Sequence, residues 1–573
     1  MHGQIESSNI DLLIRSRRYA DALGELGRAE NEMPDGNAIR LRRQCLARLG
    51  RFEEAADVGR ELLARGLAEP EDLFRQAQLF VECGAWSDAV DVALRGWDVQ
   101  EDYRLAGPLA QAALACPSLI RRLPSGNPAP SRAPSDRIFV PQRMPYYAAA
   151  DADHPGTMGM VRNARGLCFH VPAHPQEGWL GGLATTVEAT LPILEQVLAM
   201  HPLIDMAAAA RYLGGRLVSA LPDADGAALD FLTNIPITIG HRPFVLWYDV
   251  LPTLFQPFQP FDRTAISAAT SSCYWIVRGY LEAPHCLAVI THYALEGNPL
   301  LRLFRSAVIR DKLVYVRPCE AEEAPTTPVP RRPRDDERQP VRILFTSSRS
   351  FTGEGFFYRG GVDVLNAFLE VVDECGGIEL ILRTPLPATL SERLRDAVLR
   401  HPRINWIDGY LPPDEYERLF ASADVFILPT SVLYRNGVVM AMKHGLVPLV
   451  SDVIGMEELV RHGETGVMVH GRRHLLRVDD DPPGVKQNLE PVLKATDRPS
   501  DPAFFAAFKD ALRALVADRA TLERLSHAAH AAAESWSGQR DLEAFEACMG
   551  RSLAQADTMR RRGERLRLPR QRL

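Results

Sequence analysis

Arginine, asparagine and glycine residues lie close together in two short stretches of the C-terminal half. The stretch SSRSFTGEGFFYRGG contains Arg349, Arg359 and Gly360, and the stretch YRNG contains Arg435, Asn436 and Gly437. A guanidinium group can donate hydrogen bonds to two oxygens of one phosphate, and a glycine lets the backbone approach a ligand closely. Residues of these types in these positions predict a site for an anionic ligand.

Thiol and carboxylate spacing gives no sign of a metal site. The nine cysteines are scattered without a CxxC pair, which is typical of reduced thiols in a cytosolic protein and not of a zinc centre. The acidic run VDDDPP (478–483) has no metal-binding pattern and is predicted to be an exposed insertion. We therefore expect no bound metal and no resident cofactor.

Buried strands alternate with helices in the C-terminal part and must position the arginines. The strand-like apolar runs are VRILFTS (341–347), IELILRT (378–384), RINWID (403–408), DVFILP (424–429) and LVPLVSD (446–452). Continuous apolar strands separated by helices predict a parallel, doubly wound sheet. Ligands of such sheets bind past the carboxyl ends of the strands, where the strand order reverses.

The chain is long enough for several domains, and its first part repeats. It has 573 residues, 46% hydrophobic and 24% charged, as in ordinary globular proteins, and its net charge of −7 argues against general nucleic-acid binding. Tyr19, Phe52 and Trp86 are 33 and 34 residues apart, and each is followed three positions later by an alanine. This period is typical of paired-helix repeats, in which the ring fills the gap between two helices, although any helical hairpin array would fit it.

We divide the chain into six segments, two of which are proline-rich linkers. We predict helical repeats at 1–116, a linker at 117–136, a Rossmann-like domain at 137–319, a linker at 320–340, a second Rossmann-like domain at 341–550 and a basic tail at 551–573. In the central segment, LCFHVP (167–172) is predicted as the first strand. PFVLWYDVLPTLF (243–255) and HCLAVITHYALEGNPLLRLF (285–304) are predicted to contain later strands.

The order of motifs in the C-terminal part resembles a known enzyme family. Residues 341–470 are similar to the C-terminal domain of retaining glycosyltransferase family 4. The similarity lies in the order of the strand before Arg349, the stretch DGYLPPDEYERLFASADVFILPT and the stretch MAMKHGLVPLVSDVIGMEELVRHGETGVMV. The first segment resembles tetratricopeptide repeats. The fold class implied is α/β GT-B, two Rossmann-like domains facing a cleft, with an N-terminal all-α tetratricopeptide-like helical repeat domain.

The resemblance implies roles for individual residues. Arg349, Arg359 and Gly360 would bind the diphosphate of a nucleotide-sugar donor and stabilise the leaving group without a metal, together with a helix N-terminus. Gly181 and Gly182 would form the acceptor or phosphate loop, and Glu458 would contact the ribose or base. Asp249 is the preferred acceptor-side catalytic group. His170, His292 and His444 are weaker cleft candidates, each more typical of a structural histidine.

Two glutamates of the family pattern are missing. Their positions hold Val432 and Met440, which cannot accept hydrogen bonds through a carboxylate. The site is therefore degenerate, or the donor is bound by Arg435, Asn436 and the Gly437 amide instead, or this loop is misaligned. We favour the second explanation.

The sequence thus predicts a cytoplasmic glycosyltransferase that uses a nucleotide sugar and transfers it with retention to a glycan, lipid-linked glycan or protein. One alternative is a repeat scaffold with a degenerate transferase domain. Another is a protein O-glycosyltransferase whose repeats recruit the acceptor protein. The start of the chain lacks a signal-peptide pattern, and no apolar run is long enough to span a membrane. The Arg-rich tail is expected to be solvated, with docking to an anionic membrane surface as the alternative.

Overall fold

The structure is a computed structural model. It describes residues 10, 13–14, 19–29, 36–99, 105–123, 137–139, 160–161, 164–170, 183–184, 187–188, 191, 227–234, 236, 242–255, 261–294, 296, 298–317, 339–347, 354–375, 377–408, 411–534 and 538–562. Within these ranges no helix is long and apolar enough to cross a membrane.

The N-terminal segment is a series of helices, each packed against the next. They are α1 (Tyr19–Ala29), α2 (Asn37–Arg48), α3 (Phe52–Ala64), α4 (Pro70–Glu82), α5 (Trp86–Val99) and α6 (Ala106–Ala115). Tyr19, Phe52 and Trp86 are the first residues of α1, α3 and α5, every second helix of the series. The alanines three positions later are fully buried, but Phe52 is 40% exposed, so its ring does not fill the gap expected of it.

The helical segment is not isolated from the rest of the chain. Leu183, Ala184 and Val187 of the central segment belong to the same apolar core as α2–α6. Ala388, which lies in the C-terminal half, packs against the smaller core around Tyr19. The predicted linker therefore does not separate two independent cores.

The central segment forms a parallel sheet with strand order β2-β1-β3-β4-β6-β7. The strands are β1 (Arg137–Phe139), β2 (Cys168–His170), β3 (Leu229–Thr233), β4 (Phe244–Tyr248), β6 (Cys286–Thr291) and β7 (Leu313–Tyr315). Its described helices are α7 (Ser272–Glu282), α8 (Pro299–Phe304) and α9 (Ala307–Lys312). The run 167–172 thus supplies the second strand and not the first, because Arg137–Phe139, immediately after the linker, already pairs in the sheet.

The C-terminal half contains the predicted doubly wound sheet, with order β10-β9-β8-β11-β12-β13. Its parallel strands are β8 (Val341–Thr346), β9 (Ile378–Arg383), β10 (Ile404–Ile407), β11 (Val425–Leu428), β12 (Val447–Ser451) and β13 (Val467–Val469). The helices are α10 (Glu354–Tyr358), α11 (Gly361–Cys375), α12 (Glu392–Arg400), α13 (Pro413–Ala421), α14 (Arg435–Lys443), α15 (Glu490–Lys494), α16 (Pro502–Ala517) and α17 (Arg519–Glu534). The order reverses between β8 and β11, which places the ligand crevice beyond their carboxyl ends.

A small antiparallel sheet joins the two halves. The hairpin of β14 (Leu476–Asp480) and β15 (Pro483–Gln487) pairs through β15 with β5 (Ala265–Ser267) of the central segment. Val485 and Ile266 are buried at this junction. The acidic run 478–483 is therefore part of a bridge between the halves. The prediction of an exposed insertion holds only for side chains such as Asp480, which is 64% exposed.

The last described helix, α18 (Gly538–Arg561), returns to the central sheet. The Phe545 ring lies 5.7 Å from Phe231 and 6.1 Å from Trp247, centroid to centroid. Helix α18 thus completes the core of the central half, although the sequence assigned its first part to the C-terminal domain and its end to the tail. A helix that crosses between domains carries the same amphipathic pattern as one that stays, so its sequence does not tell which sheet it covers.

Candidate functional site

Arg359 is held at the carboxyl end of β8. Its Nη1 atom donates a 3.1 Å hydrogen bond to the carbonyl oxygen of Thr346, the last residue of that strand. The guanidinium carbon lies 4.1 Å from the centre of the Tyr434 ring. Burial raises the pKa of Tyr434, and the Arg359 charge opposes that rise, so the phenol stays neutral and presents its ring face to the cation. A half-buried positive charge is thereby fixed at the point where the sheet order reverses.

Gly360 brings the main chain after Arg359 against the end of β11. Its φ angle is +78°, and a Cβ atom added there would lie 2.4 Å from the Pro429 carbonyl oxygen. The Ser431 amide donates a 2.7 Å hydrogen bond to the Tyr358 carbonyl at the same turn. Only glycine satisfies both the angle and the close approach, so Gly360 has a structural reason to be present as well as its predicted ligand role.

The stretch predicted as a flexible loop is the first turn of a helix. Arg435, Asn436 and Gly437 begin α14, which runs to Lys443. A Cβ atom on Gly437 would lie 3.1 Å from Phe426 Cζ and 3.9 Å from Thr346 Oγ1. The N-terminus of α14, with its unpaired backbone amides and positive dipole end, therefore lies beside the strand end that holds Arg359. This arrangement suits a negatively charged ligand.

Arg435 and Glu458, both predicted donor-site residues, contact the central half of the chain. Arg435 is buried, and its Nη1 atom donates a 2.6 Å hydrogen bond to the His292 carbonyl oxygen and lies 3.3 Å from Glu458 Oε2. The other carboxylate oxygen of Glu458 accepts a 3.0 Å hydrogen bond from the Ala294 amide. A donor contact for Arg435 would have to be made in addition to these protein contacts.

The positions of the two missing glutamates have apolar surroundings. Val432 is buried at 6% exposure, and Met440 packs against the edge of the main apolar core. Thr430 Oγ1 donates to the Val432 carbonyl at 2.5 Å, which fixes the turn before α14. A carboxylate at position 432 would therefore meet hydrocarbon, whereas position 440 is half-buried at the edge of the core.

On the opposite side, Asp249 follows β4 and is half-buried. Asn234 binds it twice, donating from Nδ2 to Asp249 Oδ2 at 3.0 Å and accepting from the Asp249 amide at 2.8 Å. Trp247 Nε1 donates to Asp249 Oδ1 at 3.2 Å. Sequence reasoning missed Asn234, whose signal is a side-chain amide directly after a buried strand. Its φ of +63° is a conformation that asparagine tolerates better than most residues.

The three histidines differ in position. His292 is buried, and burial, followed by the Arg435 charge, lowers its pKa, so its ring is neutral near pH 7. Its Nδ1 atom has no hydrogen-bond partner among the described residues. His444 follows the last residue of α14, at the opposite end of the helix from Arg435, and His170 is the last residue of strand β2. His292 contacts another candidate, because its carbonyl oxygen accepts a hydrogen bond from Arg435.

A second arginine at the sheet edge also escaped the sequence analysis. Arg383 is the last residue of β9, and its Nη1 atom donates a 3.0 Å hydrogen bond to the Ser347 carbonyl oxygen. Its guanidinium carbon lies 5.3 Å from the centre of the Tyr416 ring. Arg359 and Arg383 thus bind two consecutive carbonyl groups at the carboxyl end of β8, those of Thr346 and Ser347. The available signal was an arginine at the end of an apolar strand.

Three predicted residues, Arg349, Gly181 and Gly182, lie outside the described residues. In the part of the chain that the structure describes, no group of three or more histidine, cysteine, aspartate or glutamate residues could hold a metal ion. The residues brought together at the edge of the C-terminal sheet are Arg359, Gly360, Asn436 and Gly437.

Residues 353–476 match the family model "Glycosyl transferases group 1". The C-terminal half carries a glycosyltransferase group 1 domain. The similarity predicted for residues 341–470 is confirmed at this level. Of the candidate residues, Arg359, Gly360, Arg435, Asn436, Gly437 and Glu458 lie within the matched glycosyltransferase domain.

Individual relatives are more distant. Alpha-maltose-1-phosphate synthase from Mycobacterium tuberculosis is 25% identical over 307 residues, which are 50% of this chain and 69% of that protein. Among solved structures, sucrose-phosphate synthase from Thermosynechococcus elongatus is 14% identical, with a TM-score of 0.37 over 58% of this chain and 75% of its own. A mutant O-GlcNAc transferase from Thermobaculum terrenum is 13% identical, with a TM-score of 0.36 over 97% and 98%.

Proposed function

We propose that this protein moves a sugar from a nucleoside-diphosphate sugar to a glycan, lipid-linked glycan or protein acceptor, with retention of configuration at the anomeric carbon. One observation carries the proposal. Inside the glycosyltransferase group 1 domain, Arg359 and the first turn of α14 meet at Thr346, where the strand order reverses. A fixed cation and a helix N-terminus are the groups that a departing diphosphate requires.

In the reaction we propose, the acceptor hydroxyl attacks the anomeric carbon on the face from which the diphosphate departs. The bond between the sugar carbon and the phosphate oxygen breaks, and the departing oxygen takes the acceptor proton. Arg359, together with Arg349, stabilises the developing negative charge, and the Asn436 and Gly437 amides orient the donor. Positioning supplies much of the rate, so no strong general base is required.

Asp249 and His292 are the acceptor-side groups in this proposal. Asn234 and Trp247 hold the Asp249 carboxylate in one orientation, and each carboxylate oxygen keeps lone pairs beyond those contacts. The ring of His292 is neutral and buried, and its Nδ1 atom has no hydrogen-bond partner among the described residues. Gly181 and Gly182 would approach the acceptor or a phosphate from the same half.

A protein acceptor is the second candidate, and one observation favours it. A cavity of about 440 Å³ opens between α1, α2 and α3, and charged residues line it, among them Arg42, Arg51, Glu54 and Asp57. Walls of mixed charge suit a polar peptide segment of a partner protein. The Arg-rich end of the chain would in turn allow peripheral contact with an anionic membrane surface on the cytoplasmic side.

A non-catalytic scaffold is the third candidate, favoured by the apolar surroundings of Val432 and Met440. One screen separates the three. Thermal shift and hydrolysis are measured with a panel of nucleotide sugars, followed by transfer assays with glycans, lipid-linked glycans and co-purifying proteins. We expect one nucleotide sugar to raise the melting temperature and to be hydrolysed slowly. Absence of both effects across the panel would establish the scaffold instead.

A further inference from the structure

The chain after β6 belongs to the central half by sequence but is held by the C-terminal half. At its start, Arg435 Nη1 donates to the His292 carbonyl oxygen at 2.6 Å, and Glu458 Oε1 accepts from the Ala294 amide at 3.0 Å. The two contacts are two residues apart on one short stretch of main chain. We call residues 292–294 the held loop.

The charges that hold this loop are scarcely exposed. The Arg435 side chain is 4% exposed and that of Glu458 21%, and they lie 3.3 Å apart. A buried charge is tolerated only when it is paired and hydrogen-bonded. Here the cation donates to a carbonyl group and the anion accepts from an amide, both in the backbone of the other half of the molecule. The Tyr315 hydroxyl, also in the central half, lies 3.5 Å from Glu458 Oε2.

Close packing adds to the electrostatic contact. Gly455 has a φ of +90°, and a Cβ atom there would lie 2.7 Å from Tyr293 Cε1 and 2.9 Å from Leu433 Cδ2. The Tyr293 ring is 1% exposed and stacks on Tyr248 with 6.3 Å between centroids. The side chain in the middle of the held loop is therefore inserted between the two halves.

A second attachment follows a few residues later in the chain. In α8 and directly after it, Arg302 Nη2 donates to the Val478 carbonyl at 3.2 Å, and Arg305 Nη2 lies 3.1 Å from Asp480 Oδ1. Both partners lie in strand β14, in the hairpin that bridges the halves. Residues 292–294 and 298–305 are thus fixed to the C-terminal half at both ends.

We propose that Arg435 and Glu458 are positioning residues that clamp the held loop, so that the donor half sets the place of His292 at the cleft. This inference rests on the proposed function, because it assigns the clamp a part in the same reaction. The held loop is thereby attached to the donor half as well as to the sheet from which it emerges, where Tyr293 stacks on Tyr248.

Amide hydrogen exchange tests the clamp without any substrate. In Glu458→Ala the Ala294 amide loses its acceptor, and its exchange should become at least about tenfold faster, as expected when a hydrogen bond to a charged group is lost. Glu464→Ala is the matched control, because Glu464 lies a few residues further along the chain but is exposed and forms a salt bridge of 2.8 Å with exposed Arg461. The control should leave Ala294 exchange at the wild-type rate.

A second variant protects the test against misfolding. Arg435→Lys keeps the charge beside Glu458 but cannot reproduce the guanidinium geometry toward His292, so exchange in the held loop should rise there as well, by a smaller factor. Wild-type exchange of Ala294 in both variants would overturn the proposal. So would a loss of binding of UDP, GDP, ADP or TDP in Glu458→Ala with unchanged exchange, because Glu458 would then be a direct donor ligand.

Kinetics separate positioning from a purely structural role. With a nucleotide sugar that is turned over, Arg435→Lys should lower kcat about tenfold or more and leave the KM for the donor within about twofold, because misplacement affects the transition state more than donor binding. A rise in KM with unchanged kcat would contradict the clamp. If no nucleotide sugar is turned over, the proposed function fails, and the exchange rates alone decide whether the clamp exists.

Discussion

The Arg359 guanidinium lies 4.1 Å from the centre of the Tyr434 ring, between the chain that follows β8 and the chain that precedes α14. The contact joins Arg359, which is predicted to bind the diphosphate, to the turn that precedes α14. A planar cation on an aromatic face is restricted to few orientations, so Arg359 is preorganised before a donor arrives.

Replacing Arg359 tests the donor site. Arg359→Ala should lower turnover of the nucleotide sugar by about 10² or more, because leaving-group stabilisation is lost. The turnover of Arg359→Lys should lie between those of the wild type and Arg359→Ala, since lysine keeps the charge but not the forked guanidinium geometry or the stacking on the ring. Arg342→Ala is the control, because Arg342 lies at the amino end of β8, away from the proposed site, and its side chain is 45% exposed beside Glu379. Equal kinetics for Arg359→Ala and the control would place the donor elsewhere.

The turn at Gly360 can be tested against a glycine of the same conformation. Gly463 has a φ of +76° with nothing within 4 Å of an added Cβ, whereas at Gly360 that atom would lie 2.4 Å from a carbonyl oxygen. Gly463→Ala should cost about 1 to 2 kcal/mol of unfolding free energy from the backbone angle alone. Gly360→Ala should cost about 1 to 3 kcal/mol more, from the forced separation of the turn and β11. Denaturant titration measures both, and equal costs would contradict the close approach.

A buried ion pair predicts a pH dependence of stability. Asp363 Oδ2 lies 2.8 Å from Arg472 Nη2, and both side chains are almost fully buried. Burial raises the pKa of Asp363 from 3.8 to about 6, although the Arg472 charge works in the opposite direction. A raised pKa in the folded state means that the contribution of this group to stability is complete below about pH 4 and lost as the pH rises through 6.

The variant Asp363→Asn lacks this titration. The unfolding free energy of the wild type relative to Asp363→Asn should therefore fall between pH 4 and pH 7, by about 3 kcal/mol at most. Asp373 is exposed on the same helix, so Asp373→Asn is the control for removing a carboxylate from this helix. If the unfolding free energy of the wild type relative to Asp363→Asn instead rises with pH, the attraction of Arg472 affects the pKa of Asp363 more than burial does.

Chelation tests the proposed source of charge stabilisation. If Arg349, Arg359 and the N-terminus of α14 stabilise the departing diphosphate, turnover should persist in excess EDTA. The measurement is the initial rate before and after dialysis against chelator, with magnesium, manganese and calcium added back singly. Loss of turnover in EDTA and its return with one of these ions would contradict an arginine-based site.

Deleting residues 1–116 tests how the repeats relate to the transferase. We expect the affinity for nucleoside diphosphate to remain, because the residues of the proposed donor site, such as Arg359 and Gly437, lie in the C-terminal half and not in the repeats. The melting temperature should nevertheless fall, because Leu183 and Val187 pack in the core of the repeats and would be exposed. Leu183→Asp in the full chain should produce a similar fall. A truncated protein that melts cooperatively but does not bind nucleotide would show that the repeats form part of the site.

Short-range patterns in the sequence determined much of this protein. Apolar runs predicted all five of the C-terminal strands that they marked, because a strand buried on both faces must be apolar throughout. The period of 33 and 34 residues predicted paired helices in the first segment, which is where α1–α6 lie. The motif order indicated the transferase domain that residues 353–476 match. Each of these properties depends on residues close together in the chain.

Only the tertiary structure decided which distant residues meet. The charge of Arg435 is visible in the sequence, but its contact with the His292 carbonyl joins positions 143 residues apart and is made by a backbone atom that every residue carries. The same holds for the hairpin strand at Pro483–Gln487, whose partner Ala265–Ser267 is a three-residue strand with no distinctive pattern. Helix α18 could cover either sheet by its own periodicity. These contacts depend on shape and on main-chain groups, which side-chain identity alone does not encode.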